Sequence, residues 1–174
     1  MRTLNINNYK DMDIKFKGAA IKTNGSFPKV GDTLPEMKLV KADLSELNTN
    51  DLKGKKVVFN IFPSVDTSVC GMQLNTFANK LKGREDVALV FTSLDLPFAF
   101  SRFCTSEGID NAITTSDFRY RDADKLGAVM EGGPLNGLHA RGVIVTDENL
   151  VVQYTELVEE VTDEPNYQAA LEKV

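Results

Sequence analysis

Residues 56–62, KVVFNIF, form an almost uninterrupted apolar and β-branched run, with a polar stretch at 50–55 before it and Pro63 after it. This pattern predicts a central strand buried on both faces. Pro63 ends the strand, because proline lacks the N–H a ladder needs and restricts its predecessor to extended geometry. The period then changes. Over residues 70–82, Leu74, Phe77, Ala78 and Leu81 recur at spacings of three and four, which predicts a helix with one apolar face. DVALVFTSLD at 86–95 repeats the strand signature, and LPFAFSRFCTSEG at 96–108 predicts a short helix stopped by Gly108.

The flanking segments are weaker in pattern. DIKFKGAAIKTNG at 13–25 predicts a small hairpin around Gly18, with Ile14, Phe16, Ala20 and Ile21 as its apolar content. Pro28, Gly31 and Pro35 punctuate 26–40, which predicts an extended lead-in to a strand near Met37 to Val40. A further short helix is expected at Leu126 to Val129, before a loop marked by Gly132, Gly133, Pro134 and Gly137. Residues 141–157 carry two β-branched runs around Asp147, Glu148 and Asn149 and predict a late hairpin. EPNYQAALEKV closes the chain as a helix, with Pro165 near its first turn and Tyr167, Leu171 and Val174 on one stripe. The order strand, helix, strand, helix, hairpin, helix predicts an α/β fold, a mixed sheet with helices on both faces. That order fits a thioredoxin-like fold or part of a doubly wound one, and does not choose between them.

A chain of 174 residues suits one domain over 1–174. Its formal charge of −5 gives no field that would gather a polyanion, so nucleic acid is not expected as a partner. No apolar run approaches the roughly 20 residues a bilayer requires, and MRTLNINNYKD has no long apolar segment after its charges. Neither a membrane span nor a signal peptide is read, and the cytoplasm is the expected location. Two cysteines are too few for a disulfide scaffold.

Those cysteines are nevertheless where chemistry would sit. Cys70, in DTSVCGM, falls at the first turn of the predicted helix, where free backbone N–H groups and the positive end of the helix dipole favour a thiolate. Thr67, three residues earlier, could aim its hydroxyl at the sulfur or at a bound peroxide, and Pro63 would shield the sulfur and fix the turn. The plainer alternative makes Cys70 a small buried hydrophobe and Thr67 an N-cap. Cys104 lies 34 residues on, so there is no CxxC motif. A structural bridge closing that loop would be worth roughly 3.8 kcal/mol in the chain-entropy model. It suits a chain with no signal peptide less well than a transient bridge, in which a first cysteine oxidised to sulfenic acid is captured by a second. Both cysteines are predicted on helices, so forming the bond requires a turn to unwind.

Arg141 opens a strand and could bring a fixed cation to a site at the strand ends, although most arginines are simply solvated. The single histidine, His139, leaves no His-rich metal site, and nothing places it beside Cys70. Asp66 is a candidate helix cap. EGGPLNG lacks the arrangement of a phosphate-cradling loop.

Three blocks in order, NIFPSVDTSVC (60–70), DLPFAFSRFCTSEG (95–108) and GLHARGVIVTDEN (137–149), resemble the thiol peroxidase family, the atypical two-cysteine branch of the peroxiredoxins. The resemblance implies a thioredoxin-like fold with a central mixed β-sheet flanked by helices and an added N-terminal hairpin. It also implies a homodimer that reduces hydrogen peroxide and organic hydroperoxides with thioredoxin as the reductant, and no metal, flavin or haem. The family's Pro-x-x-x-Thr/Ser-x-x-Cys motif falls on Pro63, Thr67 and Cys70, making Cys70 the peroxidatic cysteine. The resolving cysteine of the same subunit falls on Cys104, and the active-site arginine on Arg141. His139 departs from the small apolar residue that many members carry there. Phe62, Phe98 and Phe100 are candidate apolar neighbours for a bulky organic peroxide, or simply core. A protein-disulfide reductase and a non-enzymatic domain with a structural crosslink are the competing classes.

Overall fold

The computed structural model describes residues 14–174; residues 1–13, including the stretch read as lacking a signal peptide and Asp13 of the expected hairpin, lie outside the described residues. Strands β1 (Ile14–Phe16) and β2 (Ala19–Thr23) pair antiparallel across Lys17 and Gly18, whose φ angles of 50° and 81° make the left-handed turn that suits a two-residue hairpin. The hairpin is tied to a late segment. Lys15 N–H donates to the Glu159 carbonyl at 2.6 Å, Val161 N–H donates back to the Lys15 carbonyl at 2.9 Å, and the Glu160 carboxylate accepts the N–H groups of Lys17 and Gly18.

Strands β3 (Lys38–Lys41) and β4 (Glu46–Asn48) form a second antiparallel hairpin, followed by a 3₁₀ turn over Thr49–Leu52. Neither β4 nor the turn is predicted by the apolar pattern. Side chains make them: Asn48 accepts the Asn50 N–H, and buried Thr49 bridges the Pro35 carbonyl and the Met37 N–H at 2.8 Å each. Then come β5 (Lys56–Ile61), α1 (Ser68–Lys80), β6 (Val87–Ser93), α2 (Pro97–Glu107) and β7 (Ile113–Ser116). α1 starts two residues before its expected boundary, and β7 was not predicted at all. β7 reads ITTS, polar in composition yet largely buried, because Thr115 Oγ1 donates to the Phe91 carbonyl at 2.9 Å and also meets Thr92.

The expected helix at Leu126 to Val129 is absent. A 3₁₀ turn occupies Asp122–Leu126 and ends at Gly127, whose φ of 71° stops helical winding. A Cβ on Gly127 would lie 2.6 Å from the Ser26 carbonyl, so that close approach requires glycine. The chain continues through β8 (Met130–Glu131), β9 (Gly142–Thr146), β10 (Val152–Leu157) and the short helix α3 (Tyr167–Leu171).

The main sheet has the order β10-β9-β5-β6-β7-β3-β4, and β1-β2-β8 forms a small second sheet. β5, β6 and β7 run parallel, while β9 pairs antiparallel with β5 and β3 antiparallel with β7. Alternation along the strands sorts the side chains. Val58, Leu89, Phe91, Val143 and Val145 face one layer with Leu74 and Phe77 of α1, Phe100 of α2 and Ala170 of α3. Val57, Phe59, Ile61, Val90 and Ile144 face the other, covered by Leu34 and Met37 of the lead-in and Ala123 and Leu126 of the 3₁₀ turn. All three α-helices therefore share one face, where the sequence suggested both; irregular segments supply the apolar cover opposite. Under the hairpin, Ile14, Ile21, Met130, Ala140, Leu157 and Val161 form a third cluster.

Candidate active site

The turn from β5 to α1 places the site. Pro63 is buried directly after the strand, and Thr67 takes the extended N-cap conformation. Its hydroxyl makes no cap bond; it donates to the Ser64 carbonyl at 3.0 Å. Asp66, the other cap candidate, is not the N-cap. Its carboxylate pairs with Arg102 of α2 at 2.7 Å, on the surface.

Cys70 is the third residue of α1 and has no solvent exposure. The first helical bond after it runs from Gly71 N–H to the Thr67 carbonyl, so the N–H of Cys70 belongs to the first turn, whose donors point outward unpaired by the helix. Arg141, two percent exposed, reaches this turn from the start of β9. Its Nη1 donates to Cys70 Sγ at 3.2 Å and to Gln73 Oε1 at 3.0 Å, and its Nε donates to the Val161 carbonyl at 3.0 Å. A buried guanidinium without partners would cost several kcal/mol, and these acceptors offset that penalty while fixing its direction.

Two site residues escaped the sequence reading. Gln73 uses its other end to donate to Asn60 Oδ1 at 2.8 Å, and Asn60 donates to the Val90 carbonyl at 3.2 Å. Both are fully buried. The signals were present: Asn60 is the one polar side chain inside VVFNIF, and Gln73 lies three residues after Cys70, on the same helical face.

Cys104 sits near the end of α2, half-buried against the same apolar cluster that contains Cys70, and both cysteines are free thiols. Burial pushes the Cys104 thiol up. Its carbonyl accepts the N–H groups of Gly108 and Ile109, the bonds that end the helix. α2 is held to α1 and to the turn before it. Besides Asp66 and Arg102, Asn75 donates to Glu107 at 3.1 Å, and the Phe103 ring covers Gly71 so closely that a Cβ there would stand 3.1 Å from it.

Phe62 and Phe100 are fully buried, with ring centroids 6.1 Å apart, and act as core; Phe98 is 64 % exposed. His139 is fully buried with Nε2 at 3.1 Å from Asp117 Oδ2 and 3.7 Å from Asp124 Oδ1. Among the described residues this trio has metal-compatible donors. Arg121 also pairs with Asp124 at 3.1 Å and the Ala123 N–H donates to Asp117, while His139 Nδ1 has no hydrogen-bond partner. His139 thus faces Asp117, and the side chain that reaches Cys70 is Arg141.

The redoxin family profile matches residues 29–171. A thiol peroxidase from Corynebacterium glutamicum is 47 % identical over 156 residues, covering 90 % of this chain and 94 % of that protein. A thiol peroxidase from Vibrio cholerae is 46 % identical over 161 residues, covering 92 % and 98 %. Among solved structures, a peroxiredoxin-like protein from Aquifex aeolicus superposes with a TM-score of 0.89 at 40 % identity, covering 93 % of this chain and 95 % of that one.

Proposed function

The chain belongs to the redoxin family as a peroxiredoxin-type peroxidase with a thioredoxin-like fold, and on that premise we propose that Cys70 attacks the peroxide and Cys104 of the same chain resolves the product. The observation that carries this reading is the buried guanidinium of Arg141 at 3.2 Å from Cys70 Sγ. A fixed donor there holds the sulfur in place and can stabilise negative charge that develops on a peroxide oxygen beside it.

Arg141 Nη1 and the first-turn N–H groups of α1 donate to the peroxide oxygens, and the Thr67 hydroxyl, whose hydrogen is committed to Ser64, accepts the peroxide O–H. The sulfur forms a bond to the distal oxygen as the O–O bond breaks. The departing oxygen takes a proton and leaves as water or an alcohol, and Cys70 becomes sulfenic acid. The Cys104 thiol then attacks that sulfur: the S–S bond forms, the S–O bond breaks, and water carries away the hydroxyl and the Cys104 proton. An external dithiol of thioredoxin type returns both thiols by exchange. Pro63 shapes the turn and shields the sulfur. Hydrogen peroxide and organic hydroperoxides are the proposed substrates, with no metal, flavin or haem taking part.

A homodimer and a cytoplasmic location complete the reading. Met72, Leu96 and Phe98, near the starts of α1 and α2, are large apolar side chains 44 to 64 % exposed, which supports a partner copy at this end. Among the described residues no helix is long and apolar enough to cross a membrane. Intact-mass analysis of the reduced protein after one equivalent of peroxide tests the chemistry. Rapid loss of two hydrogens within a monomeric chain is expected, and Cys70→Ser abolishes it. Peroxide consumption that survives in Cys70→Ser would refute the assignment, and insulin reduction without peroxide turnover would favour a disulfide reductase.

A further inference from the structure

Asp95 stands where β6 gives way to α2, and its carboxylate binds no part of α2. Oδ1 accepts the Ser64 hydroxyl at 2.7 Å; Oδ2 accepts the Val65 N–H at 2.7 Å and the Ser93 hydroxyl at 2.5 Å. Ser64 and Val65 form the turn between Pro63 and Thr67. The Ser64 carbonyl in turn accepts both the N–H and the hydroxyl of Thr67, at 3.1 and 3.0 Å. Charge-assisted bonds to a carboxylate are roughly twice as strong as neutral ones, so this half-buried group is the firmest restraint on the turn.

We propose that Asp95 is a positioning residue for the peroxide reaction: through Ser64 it orients Thr67 so that the hydroxyl oxygen meets the peroxide as an acceptor. The inference rests on the reading of Cys70 as the attacking sulfur. The groups around Asp95 are Ser64, Val65 and Ser93, whereas those around Arg141 are Cys70, Gln73 and Val161, and the two sets share no residue. Asp95 therefore governs how peroxide is held and leaves the nucleophilicity of the sulfur to Arg141. A test can separate those two quantities, because an alkylating agent such as iodoacetamide reads the sulfur without using the Thr67 acceptor.

The experiment uses Cys104→Ser protein, in which Cys70 is the only cysteine, with and without Asp95→Asn. Asparagine turns one of the two acceptor oxygens into a donor facing a donor. Peroxide consumption measured by rapid quench and mass spectrometry is expected to fall about 10- to 100-fold, the scale of a misplaced reacting group. Alkylation of Cys70 by iodoacetamide is expected to be unchanged. On a Thr67→Val background, Asp95→Asn should add no further loss, because both changes remove the same interaction. Equal losses in peroxide and iodoacetamide reactivity, or losses that add on the Thr67→Val background, would overturn the proposal. If Asp95→Asn does not fold, Ser64→Ala removes the hydroxyl link to Asp95, together with the acceptor of the Asp66 N–H, and should give a smaller loss of the same selective kind; an unselective loss there overturns it equally. Peroxide consumption absent even with Asp95 intact would instead refute the role of Cys70.

Discussion

The first turn of α1 and the last turn of α2 each carry one cysteine against the same apolar layer, but their surroundings differ in kind. Cys70 has no exposed surface and a guanidinium on its sulfur; Cys104 is half-buried, and its pKa rises through burial alone. Burial without a charged partner, as at Cys104, disfavours the thiolate, whereas a buried thiol beside a fixed cation is a candidate nucleophile. In the proposed resolving role Cys104 needs little reactivity of its own, because a sulfenic acid is already electrophilic. What it requires is movement. Its helix end is closed by bonds to its carbonyl, and α2 is pinned by an ion pair to the turn before α1 and, along α1 itself, by an aromatic ring on a glycine and an amide on a carboxylate.

The contrast is broken most severely at Arg141. Arg141→Ala should slow the peroxide step by about 10²- to 10³-fold, the usual scale for losing a charge-stabilising donor, and stopped-flow kinetics would measure it. Arg141→Lys should recover only part of the rate, since lysine cannot serve Val161, Gln73 and Cys70 from one planar group. Gly71→Ala acts on the other side of the comparison. Its Cβ pushes on Phe103, and a strain of about 1–2 kcal/mol would make opening of α2 roughly 5- to 30-fold more frequent. Under excess peroxide the variant should yield more disulfide and less sulfinic acid by mass spectrometry. Arg102→Ala should shift the same ratio in the same direction by about fivefold at most, because exposed ion pairs contribute about 0.2–1 kcal/mol.

The smallest effect is on stability against pH. A thiol whose folded pKa is raised contributes stability that is whole below its unfolded pKa and is lost as pH rises through the folded one. Wild-type protein should therefore lose slightly more of its urea midpoint than Cys104→Ala between about pH 7 and about pH 10. Equal losses would mean that Cys104 is better solvated than its packing implies.

Much of this contrast could be read in the chain before its shape was known. The run at 56–62, the change of period after Pro63 and the glycine at 108 located the strand and the two helices that carry the cysteines. β7 was hidden because its threonines are buried by hydrogen bonding, and apolar periodicity is blind to that. The supposed helix at 126–129 failed because Gly127 serves a close approach to Ser26, a contact across about a hundred residues of chain. The same limit applied to the site. Thr67, Cys70 and Arg141 could be suspected from local position or resemblance, whereas the bonds that aim them, from Gln73, Asn60, Val161 and Asp95, exist only once distant segments meet.

One of those meetings involves the first described strand. The Val161 carbonyl that steers Arg141 belongs to a residue whose own N–H donates to the Lys15 carbonyl, so the first described strand and the segment after β10 close together behind the guanidinium. During translation the two cysteines leave the ribosome before Arg141, and Arg141 leaves before Val161. A nascent chain thus carries both sulfurs without the aimed cation. The setting of Cys70 is therefore a property of the folded chain, made by segments far apart in sequence, and of no single stretch of it.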